Sequence, residues 1–209
     1  MKNIKTIILV TICIISSLLN FHFQNKITEI KYTSAQLSEL YTDLSIKQGF
    51  YILNFGLNNV MTGKTFPNVL CIDNIKEEKK LTEIGKGKSI LIFRYTVTVN
   101  NCSKCHEDEI KFLQEVFDDT PESTVILCSY IFTQDNLAPQ RGNNMKINIY
   151  NIPFDAFDRE IEDLNKPYYF VLHPDMKVSH IFVPNNGLPE MSKQYLGGVK
   201  KYLSEDKIE

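Results

Sequence analysis

The chain opens on an uncharged run. Residues 7–19 read IILVTICIISSLL and follow Lys2 and Lys5, the layout of a positively charged n-region and an apolar h-region. Apolar character continues through Phe21 and Phe23, so residues 7–23 give 17 positions, roughly 26 Å of helix against a hydrocarbon core of about 30 Å. No small-residue cleavage site follows, which favours an uncleaved anchor with its lysine end in the cytoplasm; a cleaved signal is the alternative. Cys13 lies inside this run and reads as membrane filler. Residues 26–48 then place Leu37, Leu40, Tyr41 and Leu44 at helical spacing behind the capping residues Thr33 and Ser34, and Gly49 is expected to close that helix. The short apolar segment FYILNFG comes next. Turns at Gly63, Pro67 and Gly85 to Gly87 separate short strands such as NVLCI.

From Lys88 the pattern sharpens. SILIFRYTVTV is a buried-strand run, HEDEIKFLQEVFDD sets Ile110, Leu113, Val116 and Phe117 on one helical face, and STVILCSYIF is a second β-branched run. Strand, helix, strand implies parallel pairing through a right-handed crossover. MKINIYNI predicts another strand, FDAFDREIEDL a short helix, YYFVLH and KVSHIFV a hairpin turning at PDMK, and EMSKQYLGGVKKYL a closing helix despite its two glycines. The expected organisation is a signal or anchor at 1–25, a helical extension at 26–61 and one α/β domain at 62–209, a length that can bury one good core.

Charge removes one class of partner: 23 basic and 25 acidic residues give a formal charge of -2, with no electropositive stripe for nucleic acid. Setting Cys13 aside leaves Cys71, Cys102, Cys105 and Cys128 for an oxidising compartment. Cys71 and Cys128 sit in apolar strand-like runs and read as small core hydrophobes, with a structural disulfide between them as the alternative. Cys102 and Cys105 form CSKC followed by His106, a spacing shared by a redox dithiol and a c-type haem anchor. A haem domain of that kind is helical and opens on the motif, whereas this motif follows a strand with more strands behind it, so the haem reading recedes. Cys102 is expected at the mouth of a helix, where unpaired N–H groups and the helix dipole favour a thiolate, with Cys105 one turn on to resolve a mixed disulfide. Lys104 reads as a solvated lysine, and His106 either lies exposed on the first turn or faces the dithiol. The acidic HEDE stretch reads as an ordinary first helical turn. Zinc would need further ligands, and His173 and His180 read as surface or strand residues; no cofactor or metal is expected.

These residues resemble the thioredoxin-like fold, a central mixed β-sheet flanked by helices, and within it the exported thiol-disulfide oxidoreductases of the TlpA and redoxin type. The resemblance spans residues 62–203 and rests on GKTFPNVLCID, on CSKC between strand and helix, and on NKPYYFVLHPDMKVSHIFV. It implies that Cys102 attacks, that Cys105 resolves, and that Pro167, as a cis-proline, presents the backbone of Lys166 to an incoming chain. It implies protein thiols or disulfides outside the cytoplasm as partners, with an electron donor at the membrane. The chain departs from the pattern by lacking tryptophan, with Asn101 before the first cysteine, and by holding Ser103 and Lys104 between the two. The peroxiredoxin signature P-x-x-x-T-x-x-C is not matched around Thr98. A binding or scaffold domain with a structural Cys pair therefore stands as the second reading.

Overall fold

The structure, a computed structural model, describes the chain outside residues 1, 74, 98–102, 131–144, 158 and 206–209. Contacts divide the chain into two units, Met1–Gly49 and Phe50–Glu209. The first is helical throughout its described length and belongs to α1 (Lys2–Met61). Its apolar side chains are exposed, and α1 holds the one stretch among the described residues that is long and apolar enough to cross a membrane.

Gly49 does not close this helix, contrary to expectation. A glycine inside a helix costs about 0.5–1 kcal/mol. Phe50, Leu53, Leu57 and Met61 continue the helical spacing beyond it and pack into the core of the second unit, which offsets that cost.

The second unit is built on a seven-stranded sheet. Its strands are β1 (Leu70–Ile72), β2 (Glu78–Lys80), β3 (Ile90–Val97), β4 (Thr124–Tyr130), β5 (Asn148–Asn151), β6 (Tyr168–Leu172) and β7 (Val178–Phe182). Their spatial order is β2-β1-β5-β4-β3-β6-β7. β3 and β4 run parallel, as the strand-helix-strand pattern predicts, and β5 runs parallel to β4, while β6 pairs antiparallel with β3 and β7 with β6. The helices are α2 (Leu81–Gly85), α3 (Ser103–Val116), α4 (Arg159–Glu162) and α5 (Pro189–Glu205). This mixed sheet flanked by helices, with β3, α3 and β4 at its centre and a β6–β7 hairpin beside them, is the expected thioredoxin-like fold.

Alternation along β3 sends Leu91, Phe93 and Tyr95 toward Leu113 and Phe117 of α3 and Leu196, Val199 and Leu203 of α5. Ile90 and Ile92 face the other layer, with Met61, Phe66, Phe157 and Phe170. The edge of β7 is covered by two amides of α1. Asn54 accepts from Val183 N at 2.7 Å and donates to Val183 O at 3.2 Å, and Asn58 repeats this with Ile181. Four helical residues rise about 6 Å and two strand residues about 6.7 Å, so the amides match the ladder step and mask an edge open to further pairing.

Candidate active site

The central strand β3 ends at Val97 and α3 starts at Ser103, so the sequence-predicted pair falls at the join. Cys105 is the third residue of α3; its side chain, like all of Cys102, lies outside the described residues. Around this join the described side chains form two buried polar clusters, one on each face of the sheet.

On the α3 face, His106 lays its ring on Tyr95 of β3, centroid to centroid 4.6 Å and 5° from parallel. The imidazole is half-buried and packed on the sheet, so it is not simply an exposed first-turn residue. Glu109, four residues after Cys105, is buried. Its carboxylate accepts from Tyr169 Oη at 2.9 Å and from Ser192 Oγ at 2.8 Å. Burial pushes its pKa up, the two hydroxyl donors pull it partly back, and Asp108 adds a smaller upward push. Tyr169 is likewise held well above its usual value by burial and by the charge of Glu109.

On the opposite face, Arg94 is wholly buried and forks onto Glu162, with Nε to Oε1 at 3.0 Å and Nη2 to Oε2 at 3.4 Å. Its remaining donors reach Tyr95 O at 2.7 Å and Phe154 O at 3.4 Å, and Tyr168 Oη donates to Glu162 at 3.0 Å. This cluster ties β3 to the 152–154 loop and to α4.

Pro167 directly precedes β6. The register Arg94↔Tyr168 places it beside the position of Tyr95, at the end of β3 that leads to α3. The expected cis bond is not found, as the described residues contain no cis peptide. Asn165, between α4 and β6, lies in the left-handed region at φ 50°, and for an X–Pro bond the trans form is the lower in energy.

Sequence reasoning passed over Glu109 and Arg94, although both left a signal. Glu109 stands at i, i+4, i+8 with Leu113 and Phe117, a carboxylate on an apolar helical face, and Arg94 is a lone charge inside an apolar strand run. Cys71 and Cys128 are buried thiols in separate surroundings: Cys71 Sγ lies 3.8 Å from Val69 O and Cys128 Sγ donates to Tyr150 O at 3.3 Å. Burial pushes the Cys71 thiol up to about 12, far from a reactive thiolate.

At the other end of the sheet, Ser89, His173, Ser179 and His180 form a hydrogen-bonded chain with steps of 3.1, 2.7 and 2.7 Å. Neighbouring strand residues normally point to opposite faces. A register slip in the β6–β7 pair, with His180 at φ 52°, brings Ser179 and His180 together. Ser89, His173 and Ser179 line a cavity of about 800 Å³. Burial, then the nearby His173, lowers the pKa of His180. Among the described residues no three His, Cys, Asp or Glu side chains gather as a metal site.

No family model matches the chain, and no curated protein matches it either. Among solved structures it is similar to the thioredoxin domain of a thiol-disulfide oxidoreductase from Bacteroides vulgatus, at 13% identity, 68% of this chain, 97% of that one and a TM-score of 0.43. It is also similar to a thiol:disulfide interchange protein from Bacteroides sp., at 17% identity, 68% and 93% coverage and a TM-score of 0.42. A thiol peroxidase from Chromobacterium violaceum matches at 14% identity, 70% and 87% coverage and a TM-score of 0.46. The fold assignment rests on the strand order and connections described above.

Proposed function

We propose, with a thioredoxin-like fold as the premise, that this chain is a thiol-disulfide oxidoreductase acting through Cys102 and Cys105 on protein thiols and disulfides outside the cytoplasm, held at the membrane by its first residues. One observation carries the reading: α3 begins at the residue after Cys102, holds Cys105 in its first turn, and leaves the carboxyl end of the central strand. The first amides of a helix have no intrahelical acceptor, and its dipole favours negative charge there, so a sulfur at this junction is stabilised as thiolate.

In the proposed reaction the Cys102 thiolate attacks one sulfur of a substrate disulfide. The substrate S–S bond breaks, a mixed disulfide forms, and the other substrate sulfur leaves as a thiolate that takes up a proton. The Cys105 thiolate then attacks Cys102 Sγ, releases the second substrate thiol and closes the Cys102–Cys105 disulfide. Two electrons pass to the substrate, and a dithiol donor at the membrane returns them. Pro167, beside the end of β3, is proposed to position the incoming chain. The first step is pure thiol exchange, so it needs no bound cofactor.

Catalysed reduction of insulin by dithiothreitol tests this. Cys102→Ser is expected to bring the rate down to the uncatalysed background. Equal rates for the two proteins would instead support the binding or scaffold reading, which the unusual Ser103 and Lys104 and the missing tryptophan motivate.

A further inference from the structure

Residues 23–48 of α1 carry an apolar seam that neither the fold nor the proposed chemistry uses. Phe23, Ile30, Leu37 and Leu44 recur every seven residues, and Ile27, Ser34, Tyr41 and Gln48 recur every seven, four positions after each of them. The alternating steps of four and three are those of a heptad repeat, with the first set at d and the second at a. All six charged residues of 24–48, namely Lys26, Glu29, Lys31, Glu39, Asp43 and Lys47, avoid both positions. The six apolar members of the seam are between 45% and 74% exposed. Lys26 pairs with Glu29 at 2.9 Å and Lys47 with Asp43 at 2.8 Å, so these off-seam charges find partners on their own helix.

We propose that this seam is the interface of a parallel, in-register, two-stranded coiled coil between two copies of the chain. The repeat specifies a helix as occupant, because a 3.5-residue period keeps the seam facing another helix along its whole length. Leucine at d in the layers of Leu37 and Leu44, with Ile27 at a, suits two strands.

The polar layers select a second copy in parallel. In register, Gln48 meets Gln48 and Ser34 meets Ser34, and each group carries both donor and acceptor, so like satisfies like. An antiparallel pairing over the same span sets Gln48 against Phe23 and Ser34 against Leu37, which leaves polar atoms facing hydrocarbon. The parallel arrangement also lays the two apolar 7–19 runs side by side. It brings Lys26 near Lys31 of the second copy, a repulsion that the Lys26–Glu29 pair moderates. Covering the six apolar side chains on both copies buries on the order of 1,000 Å², at the lower threshold for a specific interface.

The test uses the full-length protein in detergent, with the photo-crosslinker p-benzoylphenylalanine at single positions. Leu37 and Leu44 are expected to yield dimer-sized products and Glu39, on the outer face, none. The product from Leu44 should map to the peptide containing Leu44 of the second copy. A doubly substituted chain, Leu37→Glu with Leu44→Glu, should sediment as monomer where the wild type is dimer, with helical circular dichroism kept. Equal crosslinking at Glu39 and Leu37, a Leu44 product mapping to the peptide containing Ile27, or wild-type monomer at micromolar concentration would overturn the proposal.

Discussion

Tyr168 and Tyr169 are neighbours in β6, so they point to opposite faces of the sheet, and each donates a hydrogen bond from its hydroxyl to a glutamate, part-buried Glu162 on one face and buried Glu109 on the other. Behind that likeness the two faces solve different problems. Glu162, part-buried, meets a fully buried guanidinium, with most of the donors and acceptors of the pair matched. Glu109 is held by the hydroxyls of Tyr169 and Ser192, which are neutral, and burial raises its pKa. An ion pair inside a protein locks two elements in place but makes each partner hostage to the other. A carboxyl held by neutral donors keeps a second option, since it can take up a proton. The α4 face therefore carries a fixed clasp, and the α3 face, next to the proposed cysteines, carries a group whose charge responds to pH.

The largest expected effect tests the clasp. Arg94→Met leaves the part-buried Glu162 without its cation and should cost about 3 kcal/mol in urea unfolding, the low end of the range for breaking a buried pair. Adding Glu162→Leu should recover most of the loss, because replacing both partners by apolar groups is often near neutral. A double variant as unstable as the single one would refute the clasp.

The two tyrosines give the next contrast. Well above the raised Glu109 pKa, where the carboxylate is ionised, Tyr169→Phe should cost roughly 1.5–3 kcal/mol, the range for a hydrogen bond to a charged group, since the carboxylate keeps only Ser192. Tyr168→Phe should cost less, because Arg94 still grips both oxygens of Glu162. Equal losses would erase the distinction between the faces. The gap should narrow in acid, where Glu109 is protonated and no longer depends on charged-state donors.

Backbone architecture was the more legible part of the chain. Strands such as SILIFRYTVTV and STVILCSYIF, the helix between them and the hairpin around PDMK all announce themselves by period, because burial on one or both faces leaves a regular residue pattern. Gly49 misled because a single flexible residue is outvoted by Phe50, Leu53, Leu57 and Met61 packing beyond it. Pro167 misled because the residues around a proline do not by themselves fix its bond isomer, and the described residues hold no cis peptide. The polar clusters were harder still. Glu109 looked like an ordinary first-turn acid in HEDE, and nothing local says that Tyr169 and Ser192, far along the chain, will meet it. Hydrogen-bond partners chosen by tertiary packing leave little trace at the position that needs them.

The smallest effect is the most specific to the α3 face. Folding raises the Glu109 pKa, so at intermediate pH the folded chain binds this proton more tightly than the unfolded one. Below the usual glutamate range both states are protonated and the group costs nothing. As pH rises from that range through the raised folded value, the folded state carries the excess proton, and stability falls with increasing pH. Above the folded value both states are ionised and the loss is complete. Glu109→Gln has no proton to lose, so its stability relative to the wild type should climb over this window. Asp119 and Asp175, held low by hydrogen bonds from Lys200 and Lys177, titrate below it and are common to both proteins. Urea midpoints of the two proteins, followed upward from the usual glutamate range, make the comparison, and curves that stay parallel would mean that Glu109 does not change charge on this face.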